Sequence, residues 1–219
     1  MPLISQKLKD ILYDKKYVIL LISLVSVLWA PIIFQAFIYS DEISDITLIV
    51  LMIAIINFTR ERKLYRRVTV VFFVFVSLSK SASLSLHIDN IDFVTWSAML
   101  VYFTMFLFVL LQEVWHSKKV DVNTILGAIA GYIQIGVIAF ILFKICDLLY
   151  NGTAFNRIVD ISDIIYFSFV TLTTVGYGDI SPTTDETKAF TVIFAMVGQF
   201  YMAILMALLV GKYQQEHQK

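Results

Sequence analysis

Apolar residues fill six long stretches of this chain, at 17–39, 43–58, 68–86, 93–115, 124–150 and 188–213, with short polar connections between them. A helix needs about 20 apolar residues to cross the hydrocarbon core of a bilayer, so the pattern predicts six membrane-crossing helices. The second is short and is closed by Asn57 and Thr59. A seventh apolar stretch, 161–173, lies between the fifth and the sixth. It is amphipathic and too short to span, which predicts a re-entrant helix. Such backbone is tolerated at membrane depth only where it is buried in protein or lines water. The expected fold is an all-α membrane protein.

Composition agrees with lipid as the surrounding solvent. The 219 residues are 59% hydrophobic and 15% aromatic, with mean hydropathy +0.81, where an ordinary soluble domain is about half apolar or less. Formal net charge is zero, so nothing suggests nucleic acid as a partner. Cys146 is the single cysteine, which excludes an intrachain disulfide and a multi-cysteine metal cluster. Lys7, Lys9, Lys15 and Lys16 precede an apolar stretch long enough to span, which reads as a retained first helix and not as a cleaved leader.

The charges set an expected orientation. Basic residues collect in the N-terminal arm, at Arg60, Arg62, Lys63, Arg66 and Arg67, and at Lys118 and Lys119, all on one side of the six-helix pattern. The other side receives Asp41, Glu42, Asp45, Asp89, Asp92, Asp160, Asp163 and Asp179. By the bias of basic loops toward the cytoplasm, both termini are expected inside, in the plasma or inner membrane of a cell. His87 then faces outward and His116 inward, both as ordinary interface residues. No paired carboxylates, nucleophile triad or phosphate-binding glycine loop points to an enzyme.

Residues 171–179 read Thr-Leu-Thr-Thr-Val-Gly-Tyr-Gly-Asp. Gly176 and Gly178 adopt positive φ at almost no steric cost, so the backbone here can aim successive carbonyls at one axis. An ordinary outer turn would also use Gly-Tyr-Gly-Asp, but it leaves Thr171, Thr173 and Thr174 unexplained. The nonamer resembles the selectivity filter of the potassium channel superfamily, and the likeness is best over 124–213. Before that point it rests on helix count and topology.

The resemblance implies a re-entrant pore helix and selectivity filter between helices five and six. The carbonyls of Thr174, Val175, Gly176 and Tyr177, with the Thr174 hydroxyl, would bind dehydrated K⁺, and Gly178 would close the outer mouth. Val175 and Tyr177 would face into the protein. Tyr166 would donate to Asp179 behind the filter, and Thr171 would support it from the pore helix. Tyr166 and Phe167 stand where many relatives carry a tryptophan pair, and Val170 where some carry glutamate. Beyond the filter, Gly198 is a candidate hinge or a site of close helix packing. Met202, Met206 and Leu209 fall at helical spacing and form a candidate apolar gate or a lipid-facing stripe. Four filter runs make one pore, so the partners expected are three identical subunits, membrane lipids and K⁺, with no resident cofactor.

The chain divides, on this reading, into an N-terminal arm (1–16), a four-helix sensor-like part (17–119), a pore domain (120–213) and a tail (214–219). A voltage sensor repeats Arg or Lys every third residue, because each charge crossing the field yields about 2.3 kcal/mol per 100 mV. Between 93 and 115 there is neither. The basic residues at 60–67 read as a polar loop that anchors topology. Lys80 sits roughly 18 Å along its helix from Val68, at 1.5 Å per residue, and is expected to snorkel outward among Ser81, Ser83 and Ser85. Lys144 and Asp147 are expected to form a local interfacial pair. Few residues follow Tyr213, so gating is expected from the membrane part, the filter, lipids or a separate partner. The function expected is passive, K⁺-selective conduction without steep voltage dependence. A weakly selective cation channel and a non-conducting membrane sensor remain alternatives.

Overall fold

A computed structural model describes residues 12–33, 40–86, 89–117 and 120–217. Seven helices carry the described chain: α1 (Lys16–Ile33), α2 (Ser40–Phe58), α3 (Lys63–Leu86), α4 (Asp89–His116), α5 (Val122–Leu149), α6 (Ile161–Leu172) and α7 (Asp185–His217). The expected all-α class is what forms. Three helices, α4, α5 and α7, are long and apolar enough to cross a membrane, while α1, α2 and α6 contribute shorter apolar helices. Residues 34–39 of the first predicted span, Lys7, Lys9, His87, Lys118 and Lys119 lie outside the described residues.

Two boundaries differ from the sequence expectation. The basic cluster is not all loop: α3 starts at Lys63, so Lys63, Arg66 and Arg67 lie on its first turns, and the Arg66 N–H already bonds the Arg62 carbonyl at 2.9 Å. Lys, Arg and Leu are good helix formers and nothing between them breaks a helix. At the other extreme α7 runs on to His217, through most of the residues expected as a tail.

Successive helices α1–α4 pack on one another, and α1 and α4 then pack on α5 of the same chain. Large side chains fill the seams. Phe58 meets Tyr17 and Phe106 edge-on at 5.1 and 5.5 Å, and Trp96 of α4 meets Phe140 of α5 at 5.6 Å. Edge-to-face pairs of this kind add about 1 kcal/mol beyond the area they bury. Buried polar groups are tied across helices, the Tyr102 hydroxyl to the Met52 carbonyl and the Gln134 amide to the Phe103 carbonyl.

The basic end of the bundle is joined through Glu113 on α4. It accepts from the Tyr17 hydroxyl at 2.7 Å and pairs with Lys16 at 3.2 Å and Arg62 at 3.8 Å. Close by, Lys212 of α7 donates to the carbonyls of Val114, Trp115 and Ser117 at 3.2, 2.9 and 2.7 Å. The last carbonyls of a helix lack intrahelical partners and carry the negative end of its dipole, so an ammonium is well placed there. The far end of α7 is thereby clipped to the end of α4.

Asp121 caps α5, accepting from the Thr124 N–H at 2.8 Å and the Thr124 hydroxyl at 2.7 Å. These two bonds hold its carboxyl below the usual carboxylate range. A carboxylate whose folded pKa is depressed stabilises above its unfolded pKa and loses that contribution as pH falls through the folded value. Asp121→Ala is expected to cost about 1 kcal/mol of thermal stability at neutral pH, and the gap from wild type should shrink as the medium is acidified below the ordinary carboxylate range. Thermal melts across that range check it.

At the acidic end, Lys80 corrects the expectation of snorkelling. Its ammonium lies 2.9 Å from the Asp45 carboxylate of α2 and 5.4 Å from the Trp96 ring centre of α4. Ser83, expected to hydrate the lysine, donates instead to Asp92 at 2.7 Å. A half-buried carboxylate on the neighbouring helix is a better partner than a distant interface. Lys80→Met and Asp45→Asn should each destabilise by about 1–3 kcal/mol, with the double variant costing less than the sum. A double-mutant cycle on melting temperature reads the coupling, and strict additivity would deny it. Lys144 and Asp147 pair at 3.7 Å as expected, with Asp147 buried in the chain.

Candidate functional site

The short helix α6 is fixed at both ends by its own sequence. Asp160 and Asp163 form a reciprocal capping box at its start, the Asp160 carboxylate accepting from the Asp163 N–H at 2.7 Å. Arg157 pairs with Asp163 at 2.7 Å. Acidic groups at a helix start also complement its dipole. On its buried face, Phe167 packs edge-on against Phe143 of α5 at 5.0 Å and Phe155 of the preceding loop at 5.1 Å. Phe143 in turn reaches Phe194 of α7 at 5.8 Å. Phe167 thus replaces a hydrogen-bonding ring by an aromatic cluster that ties α6 to both long helices. Phe169 occupies the space that a side chain on Gly136 of α5 would need.

The last carbonyls of α6 are used by the run that follows. Phe169 accepts from Thr173, Val170 from Val175 and Gly176, and Thr171 from Thr174, at 2.9 to 3.3 Å. This folds residues 174–178 back beside the helix end. Within the run φ is positive at Thr174 (59°), Gly176 (53°) and Gly178 (80°). Left-handed residues therefore alternate with Val175 and Tyr177, a backbone pattern that is able to aim successive carbonyls at one axis. Two of the three positions are glycine, which bears the conformation freely. Thr174 is β-branched, and a left-handed conformation there is strained.

The flanks hold the run in place. Tyr166 of α6 donates to Asp179 at 3.2 Å, the contact expected between these two residues. Thr171 is buried. Beyond Asp179, the chain is laced to the loop after α5: Asn156 N–H bonds the Ser181 carbonyl at 3.0 Å, Ser181 N–H bonds the Asn156 side chain at 3.0 Å, and Thr183 N–H bonds the Ala154 carbonyl at 2.9 Å. Ile180 is buried beneath this lacing.

One expectation needs correction within the single chain, and one alternative is borne out. Val175 and Tyr177 do not face into the chain: they are 53% and 72% exposed. With Leu28 and Trp29 of α1 and Phe169 and Val170 of α6 they line an open apolar groove of about 360 Å³. Within one chain only α6 and the Leu28–Trp29 part of α1 lie beside these side chains, so they stay largely exposed. Gly198, for its part, sits where α7 passes the end of α6, and a Cβ there would collide with the Leu172 carbonyl oxygen. This bears out the close-packing alternative to a hinge, with α6 as the opposing helix, and α7 runs unbroken through it. Met202 and Met206 are exposed and Leu209 is half-buried along the lower part of α7.

Sequence reasoning missed Gln199. Its side-chain amide donates to the Thr174 hydroxyl oxygen at 2.9 Å. The signal was present, since Gln199 is the one amide between Val192 and Val210 and follows Gly198 directly. Tyr132 and Tyr201 were also missed. They donate to the Leu172 and Ala128 carbonyls, and Tyr201 so ties α7 to α5. Among the described residues no group of three His, Cys, Asp or Glu is placed to hold a metal ion.

The family model described as "Ion channel" matches residues 128–215, which is α5 through α7. A two-pore potassium channel of Arabidopsis thaliana is 35% identical over 90 residues, covering 41% of this chain and 19% of that protein. A two-pore potassium channel of Oryza sativa subsp. japonica is 37% identical over 76 residues, 35% of this chain and 20% of that protein. The voltage-gated potassium channel of Escherichia coli (strain K12) is 30% identical over 112 residues, 51% of this chain and 25% of that protein. The chain thus spans a fifth to a quarter of the length of these relatives. No solved structure matches it. All of these likenesses are to transport proteins and none to an enzyme. Over residues 128–215 the chain is thus similar to ion channels, and the relatives named above are potassium channels.

Proposed function

We propose that the chain forms a passive, K⁺-selective channel in which four copies surround one pore. The observation that carries this reading is the alternation of left-handed residues at Thr174, Gly176 and Gly178, because such an alternation is able to aim carbonyl oxygens along one axis. Four such rows would supply the stacked rings that replace the hydration shell of K⁺. That the ion is K⁺ follows the names of the relatives.

Exposure supports the assembly. The chain covers 67% of the most apolar stretch of α5 but 11% of that of α7. An apolar helix left so bare needs lipid or further copies against it, and the groove at Val175 and Tyr177 asks for the same. The sequence carries one Thr-Val-Gly-Tyr-Gly run, so a ring of four takes four copies. In this arrangement α1–α5 and α7 supply six crossings, α6 is the re-entrant pore helix, and its C-terminal dipole favours a cation at the base of the filter. The basic end, with both termini, is cytoplasmic. The gate lies along Met202, Met206 and Leu209.

Voltage dependence is shallow on this account. No Lys or Arg lies between 93 and 115 in α4, and Lys80 of α3 is engaged with Asp45. The test is ion uptake by liposomes holding the purified protein, under K⁺ and then Na⁺ gradients, with and without Ba²⁺. Ba²⁺-blocked uptake of K⁺ alone supports the channel. Equal Na⁺ uptake favours a weakly selective cation channel, and no uptake of either favours a non-conducting membrane sensor.

A further inference from the structure

Gln199 interrupts an otherwise apolar part of α7, and its placement is dictated by its neighbour. Because Gly198 has no side chain, α7 presses against the Leu172 carbonyl at the end of α6. The next residue is thereby brought level with the first residue of the filter run. Gln199 Nε2 lies 2.9 Å from Thr174 Oγ1, and both residues are exposed.

Thr174 needs such support. It is a β-branched residue at φ 59°, a conformation that persists only where its surroundings over-determine it. Its backbone N–H is held by the Thr171 carbonyl at 2.9 Å, which fixes the main chain but not the hydroxyl. A threonine hydroxyl is a free rotor with one proton and two lone pairs. The Gln199 N–H occupies one lone pair and so directs the other.

We propose that Gln199 is a positioning residue for the innermost cation site, holding the Thr174 hydroxyl in the orientation that faces a dehydrated cation. This rests on the proposed K⁺ conduction. In the four-copy ring, four amides stand beneath four hydroxyls, and the ligand class is a cation of the size of K⁺, monovalent or divalent. Gln199 then sets how tightly such an ion rests at the inner end of the row, and hence both selectivity and block by Ba²⁺.

The test uses the full chain in liposomes, comparing wild type with Gln199→Leu and Gln199→Glu. Losing the N–H donor in Gln199→Leu should weaken Ba²⁺ block about tenfold, the scale of one lost hydrogen bond per site, and lower the preference for K⁺ over Na⁺. Gln199→Glu also lacks the donor but adds charge, so Ba²⁺ affinity should rise while the preference for K⁺ still falls. The Leu effect should persist in a Thr174→Ser background, which keeps the hydroxyl, and vanish in Thr174→Ala. If the leucine variant fails to assemble, Gln199→Met takes its place. A second readout, the Ba²⁺-dependent rise in melting temperature of the purified assembly, requires no open gate and should shrink in Gln199→Leu. A selective wild type whose Gln199→Leu variant shows unchanged block, selectivity and Ba²⁺ stabilisation would overturn the inference and leave the channel standing. A wild type that neither conducts K⁺ nor gains stability from Ba²⁺ would overturn both.

Discussion

Gly178→Asp is expected to abolish K⁺ flux while leaving the chain folded, inserted and assembled. Gly178 sits at φ 80° with no neighbouring atom within 4 Å of the place a Cβ would take. The substitution therefore makes no clash that would disrupt packing. What it adds is left-handed strain, on the order of 1 kcal/mol for a residue bearing a Cβ, and a carboxylate in every copy. In a ring of four, these carboxylates would crowd the outer mouth, repel one another and retain cations that should pass. Gly178→Ala separates the two effects, since it brings the strain without the charge and should lose less flux. Flux assays beside size-exclusion profiles check the pair. Full K⁺ flux through Gly178→Asp would remove residues 174–178 from the conduction path.

The second large effect is expected at Gly198. A single methyl there meets the carbonyl oxygen and carbon of Leu172, which are backbone atoms at the end of α6 and cannot swing aside. Overpacking of this kind typically costs 1–3 kcal/mol. Gly198→Ala should push α7 off α6, break the Gln199–Thr174 contact, lower the melting temperature of the assembly and reduce flux together. A hinge role makes a different forecast: the alanine variant would keep its melting temperature and change only how often the pore opens. Melting curves recorded beside flux discriminate between them.

Much of α6 and the run after it was legible in the sequence because the signals are local. The 171–179 run and the short apolar stretch before it lie within 20 consecutive residues. Turn chemistry and capping depend on near neighbours, so the helix ends where expected, at Leu172 with Thr173 as its cap. The Tyr166–Asp179 bond was legible for the same reason.

What escaped depends on which helix lies beside which. Lys80 and Asp45 are 35 positions apart, and their pairing follows from α2 and α3 being neighbours. Lys212 and the carbonyls at 114, 115 and 117 meet only because α7 returns past the end of α4. The role of Gly198 could not be read from a glycine in an apolar helix, because hinge and contact look alike until the opposing atom is known. Lys63, Arg66 and Arg67 were assigned to a loop by charge alone, although their helix propensity favoured the first turns of α3.

The most direct test of the central claim is the reversal potential of single-channel current in a planar bilayer, with KCl on one side and NaCl on the other and the voltage stepped through the physiological range. The account expects a reversal displaced far toward the K⁺ equilibrium potential, with open probability changing little with voltage. Reversal near zero would contradict the assignment of Thr174 to Gly178 as a K⁺-selective filter.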